Sequence, residues 1–144
     1  MGHAGAEYEP RHSAGEPGSP HGDAVIARRA EQAPTVAAAE LLRDIYRRQG
    51  TAFAAYLTLD GIDGYARTAE SDFENAYVAT YPDQQILIED TIATFGWRQD
   101  LDRRLGCDPL LRSVVTFDHS RIWEFVNEGF DILESTEGLY VFDR

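Results

Sequence analysis

The sequence predicts an α+β protein: small, mostly helical domains closed by a C-terminal β-hairpin and preceded by a disordered N-terminal tail. Three observations lead there. Residues 1–34 hold four of the six prolines, five of the twelve glycines and three of the four histidines, with only Met1, Tyr8, Val25 and Ile26 as sizeable apolar side chains. From residue 35 onward, apolar residues recur at helical spacing between recognisable capping residues. The last fifteen residues instead carry two short β-prone runs around a turn.

The tail, placed at 1–33, buries too little to offset its ordering entropy. Within it, Ala24 to Gln32 has the composition for a helical turn or two. Thr35 is placed to cap a helix ending at Gln49, with Val36, Leu41, Leu42, Ile45 and Tyr46 as its apolar face. Arg47 and Arg48 suit its last turn, and Gly50 stops it. A second short helix from Thr51 turns Phe53, Tyr56 and Leu57 inward. Asp60 to Ser71 reads as a loop around Gly61 and Gly64. A third helix is expected over Asp72 to Tyr81, where Phe73, Ala76 and Tyr77 have helical spacing and Pro82 breaks the run. Asp83 caps a fourth from Gln84 to Phe95, which Gly96 ends. Asp108 before Pro109 starts another, carrying Leu110, Leu111, Val114 and Val115. Asp118 caps the next, with Ile122, Trp123 and Val126 inward. Phe130 to Glu134, a turn over Ser135–Gly138, and Leu139 to Phe142 form the hairpin. The expected organisation is a tail (1–33), a helical unit (34–96) and a unit ending in the hairpin (97–144).

Charge is uneven. Residues 51–144 carry eighteen carboxylates and seven arginines, a net of −11, whereas residues 1–50 are close to neutral; there is no lysine. Such a field repels nucleic acid and anionic membranes and attracts basic surfaces. It is equally the charge of a surface kept acidic for solubility, or for high salt. No apolar run reaches the ~20 residues of a membrane helix, no signal peptide opens the chain, and the one cysteine, Cys107, has no internal partner for a disulfide. The expected location is cytoplasmic.

Candidate chemistry is sparse. His119 beside Asp118 has the makings of an oriented base, without a nucleophile signature nearby. Cys107 sits next to Asp108, whose charge disfavours a thiolate. His3, His12 and His21 lie nine residues apart in the tail, a poor framework for zinc. Asp60-Gly61-Ile62-Asp63-Gly64 lacks the alternating acids and distal glutamate of a calcium loop. No catalytic residue, metal site or cofactor is expected.

Taken in order, four blocks resemble the ArdA antirestriction family: TAFAAYL at 51–57, FENAYVATYPD at 73–83 followed by an acidic helix, Leu111-Arg112 leading to Phe117-Asp118, and GFDILESTEGLYVFDR at 129–144. Members are three-domain acidic proteins of mobile elements that imitate duplex DNA and occupy the DNA groove of type I restriction–modification enzymes. The resemblance implies that this chain holds the second and third domains and lacks the first. It departs from the family at Ala79-Thr80, where an acid is missing, at Ser120 to Phe125, and in the absence of the acidic stretch before the second domain.

The resemblance implies a partner-binding row of carboxylates at Asp60, Asp63, Glu70, Asp72, Glu74, Asp83, Glu89 and Asp90, extended by Asp100, Asp102, Asp108, Asp118, Glu124, Glu128, Asp131, Glu134 and Glu137. The supply is adequate: a body ~35 Å across matches a DNA length with roughly 20 phosphates. Full mimicry would also need the arginines gathered on another face. The expected partner is a DNA-binding protein with a basic groove, a type I restriction–modification methyltransferase core, with no direct nucleic-acid binding, no membrane, and a homodimer left open. The alternatives are a generic acidic interaction protein, a remnant without inhibitory activity, and an acid–base enzyme using His119.

Overall fold

A computed structural model of the chain describes residues 20–106 and 108–144. In chain order these form helices α1 (Pro20–Glu31), α2 (Val36–Gln49), α3 (Thr51–Tyr56) and α4 (Ala69–Ala76), strand β1 (Tyr77–Tyr81), helices α5 (Gln84–Phe95), α6 (Trp97–Leu105), α7 (Pro109–Val114) and α8 (His119–Gly129), and strands β2 (Phe130–Ser135) and β3 (Gly138–Asp143).

The three strands make one antiparallel sheet in the order β1-β3-β2. Side chains alternate across a strand, and the central strand β3 shows the consequence. Tyr140 and Phe142 belong to one core, with α1 to α4 and Tyr77; Leu139 and Val141 belong to another, with α5, α8, Ala79 and Tyr81. The sheet is therefore the middle of three layers, and β3 is buried along Gly138–Phe142. The expected boundary at 96/97 falls between α5 and α6, yet α5 and α8 share the second core across it.

The first core is aromatic. Phe73 meets Phe53 edge-on at 5.6 Å, stacks on Tyr77 at 5.3 Å, and lies 6.3 Å from Phe142. α2 supplies Ala39, Leu42, Ile45 and Tyr46 from one face. Its expected cap is present: Thr35 Oγ1 accepts from the Ala38 N–H at 3.0 Å. Gly50, at φ 78°, joins α2 to α3. Val36, expected on the inner face, is 76% exposed; the buried face of α2 starts at Ala39.

The hairpin and the helices starting at Asp83, Asp108 and Asp118 follow the sequence expectation. Each of those aspartates accepts backbone N–H groups of its own first turn, the bonds that otherwise go unmade there. Gly138 is required where β3 begins. Its φ is 132°, and a Cβ there would lie 2.3 Å from the Tyr81 carbonyl oxygen.

Three expectations are corrected. The tail does not run to residue 33: from Pro20 the chain is a three-turn helix with Ile26 and Ala30 in the first core. Polar bonds hold it too, because the Tyr46 hydroxyl donates to Asp23 at 2.7 Å and the Tyr65 hydroxyl to the Arg29 carbonyl at 2.7 Å. Residues 1–19 lie outside the described part. The helix expected over 72–81 starts at Ala69 and stops at Ala76, since the YVATY run that follows pairs with β3. Its aromatic and β-branched residues suit a pleated surface better than a helix. Finally, α6 occupies a stretch to which no element was assigned.

Candidate carboxylate surface and cavities

All seventeen carboxylates of the expected row lie at least partly exposed, and none is buried. They differ in what they already hold. Asp83, Asp108 and Asp118 are helix caps. Asp63 accepts the Tyr65 N–H at 3.0 Å, which makes the Asp60–Gly64 segment a self-bonded turn. Asp90 accepts the Tyr81 hydroxyl, Asp72 the Thr68 hydroxyl at 2.9 Å, and Glu74 the Gln49 amide at 3.4 Å.

Six more are in ion pairs: Glu70 with Arg48, Glu89 with Arg98, Asp100 with Arg103, Asp102 with Arg112, Glu124 with Arg121, and Asp131 with Arg144. Five of the seven arginines in 51–144 are thus bonded to the row itself. They are interleaved with the acids rather than gathered away from them, which shortens the reach of the negative field. The Arg48 guanidinium, through its hydrogen bond, holds the Glu70 carboxyl below its ordinary range. Among the described residues, the side chains of Asp60, Glu128, Glu134 and Glu137 have no hydrogen-bond or ion-pair partner.

The histidine alternative gains nothing from geometry. His119 is half-buried, and the neighbouring Asp118 carboxylate is engaged by the Ser120 and Arg121 N–H groups. No group of three metal-ligating side chains occurs among the described residues. His3, His12 and Cys107 lie outside them. No helix among them is long and apolar enough to cross a membrane.

Two features escaped the sequence reading. One is an exposed aromatic group in the second layer: Phe95 stacks on Trp97 at 5.1 Å, and Phe125 meets both edge-on at 5.6 and 5.7 Å. Phe95 and Phe125 are 50% and 45% exposed. The signal was present in α8, where Phe125 falls off the Ile122–Val126 face. The other is a cavity of about 380 Å³ where α1 and α3 meet the hairpin. It joins residues more than a hundred positions apart, so no local pattern marks it. Gly22, Ala54, Ala55, Leu133 and Tyr140 line it, and the hairpin tip from Glu134 to Glu137 forms its rim. A second cavity, of about 450 Å³, lies between α6 and α7 beside the Asp102–Arg112 pair.

Compared with family models, curated proteins and solved structures, the chain matches none.

Proposed function

We propose that the protein binds the basic DNA groove of a DNA-processing enzyme through its surface carboxylates, acting as a partial mimic of duplex DNA. The observation that carries this reading is the exposure of all seventeen carboxylates within residues 51–144, a stretch of net charge −11, eleven of them outside any ion pair among the described residues. The resemblance to the antirestriction family adds the target: a type I restriction–modification methyltransferase core, in the cytoplasm. No catalytic role is assigned to any residue.

A second reading, an acidic interaction protein without inhibitory activity, is favoured by the interleaved arginines. A phosphate row has no cations bonded into it, and each ion pair presents a weak dipole instead of a charge. The two readings part in a competition experiment. The protein is titrated against a methyltransferase core bound to labelled duplex DNA, across a salt series. Mimicry requires displacement of the DNA and an affinity that falls steeply with salt. Single Asp→Asn or Glu→Gln changes should each weaken binding by less than about fivefold. Neutralising Asp60, Glu128, Glu134 and Glu137 together should weaken it far more. Simultaneous binding of DNA and protein, or insensitivity to salt, would overturn mimicry.

A further inference from the structure

The cavity beneath the hairpin lies beside β2, one of the two edge strands of the sheet. Among the described residues β2 pairs only with β3, and all its residues are half-buried or exposed, in contrast to β3. The pattern of its backbone groups follows from the turn. Ser135 and Gly138 flank a two-residue connection and pair with each other. In such a hairpin the flanking pair exchanges hydrogen bonds, and bonded pairs then recur at every second position. Asp131, Leu133 and Ser135 therefore point their backbone groups toward β3, and Phe130, Ile132 and Glu134 point theirs outward. The Phe130 N–H is taken by the Val126 carbonyl at the end of α8. The N–H and C=O groups of Ile132 and Glu134 have no backbone partner among the described residues.

A strand laid along that edge, ~4.8 Å from β2, would put alternate side chains on the face shared by Leu133 and Ser135. That face is the one over the cavity, because Leu133 and Tyr140 both belong to the first core and line the space. The cavity has the position of the gap left under an absent fourth strand, roofed by α1 and α3. Its floor is mostly apolar. Its buried polar atoms, the hydroxyls of Thr51 and Tyr140, share one hydrogen bond of 2.7 Å, so one of their two protons remains unspent.

We infer that the outer edge of β2 and the adjoining cavity form a site for an extended peptide segment of a partner protein, which adds a fourth strand, seats an apolar side chain in the cavity and presents basic side chains toward the acidic hairpin. Charge selects this occupant. The Glu134 and Glu137 side chains stand at the rim with no partner among the described residues, and the whole chain is acidic. A second copy is disfavoured by the same charges, since it would bring two acidic hairpins edge to edge. The site is independent of groove binding: either can fail while the other stands.

The probe is a capped heptapeptide of alternating valine and lysine, titrated into the full-length protein and followed by backbone amide shifts and by anisotropy of a labelled form. Saturable binding is expected, with the largest shifts at Ile132 and Glu134. The same peptide N-methylated at the amides facing β2 should not bind, since it lacks the strand-pairing donors. Glu134→Pro removes one outward N–H without touching the β2–β3 ladder and should abolish binding. Glu134→Gln keeps that donor and should weaken binding by less than about fivefold. Ala55→Leu, which fills the half-buried cavity wall, should weaken it by about tenfold, with melting curves confirming that the variant folds. Equal binding of the N-methylated peptide, or shifts spread over the carboxylates without focus on β2, would overturn the proposal in the unaltered protein alone.

Discussion

The two faces of the sheet are finished to different standards. On the first, α1 to α4 close over Phe53, Tyr56, Phe73 and Phe142, all at most 5% exposed. On the second, α5 and α8 bury Leu87, Ile88, Ile92, Ile122 and Val126, but the helices around them leave Phe95, Leu110, Leu111, Val114 and Phe125 in solvent. α6 and α7 bury no residue completely. The first layer has the packing of a complete core, so stability should reside there. The second layer holds most of the ion-paired carboxylates, and two of them, Asp100 and Asp102, stand on α6, which has few apolar anchors. Low anchoring of this kind goes with local opening at little free-energy cost.

The sharpest break in that comparison is a pair of matched truncations. Phe73→Ala removes the ring on which four other aromatic rings converge and should cost ~3–5 kcal/mol, enough to abolish most of the stability of a small domain. Phe125→Ala, the same change at a 45% exposed position, should cost less than ~1 kcal/mol. Urea denaturation of both variants decides this. Equal losses would mean that the second layer is as integral to folding as the first.

Next in size is the removal of α1. Deleting residues 1–33 takes Ile26 and Ala30 out of the first core, and removes Asp23 and Arg29, which accept from the Tyr46 and Tyr65 hydroxyls. Ile26→Ala alone should cost ~2–4 kcal/mol, and the deletion more. A melting temperature unchanged by the deletion would show that α1 is an appendage.

That helix also marks where the sequence was legible and where it was not. The caps at Thr35, Asp83, Asp108 and Asp118 and the stop at Gly96 were readable, because each acts within its own few residues. α1 was read as tail since its own apolar content is small: it depends on Ile26 and Ala30 meeting α2 and α3, a contact no local window contains. β1 failed for the same reason. Phe73, Ala76 and Tyr77 have helical spacing, and only the register with β3 turns Tyr77–Tyr81 into a strand. At the carboxylate surface, the supply of charge was legible from composition alone. The pairing of Glu89 with Arg98 or Asp102 with Arg112 depends on helix crossings and could not be read.

The smallest effect tests the tie between two first-layer helices. Arg48, in the last turn of α2, donates to both oxygens of Glu70, at 3.1 and 2.7 Å, and Gln49 adds a third bond at 2.9 Å. Glu70 lies in the first turn of α4, where the helix dipole also favours its negative charge. These bonds favour the ionised form, so the folded-state pKa lies below the ordinary value of 4.5. The sign of the pH effect follows from proton counting. Between the lowered folded pKa and 4.5 the unfolded chain binds more protons at this site, so stability rises with pH across that interval. The contribution is complete above 4.5 and is lost as the pH falls through the folded value. Arg48 is exposed and Glu70 half-buried at the surface, so solvent and salt screen the pair and its contribution is small. Glu70→Gln should therefore lower the denaturation midpoint slightly at neutral pH, and the difference from the unaltered protein should close in acid. Added salt should shrink it as well. A gap that persists at low pH would assign the effect to the packing of the side chain against α2, and the charge pair would then play no part in holding the two helices together.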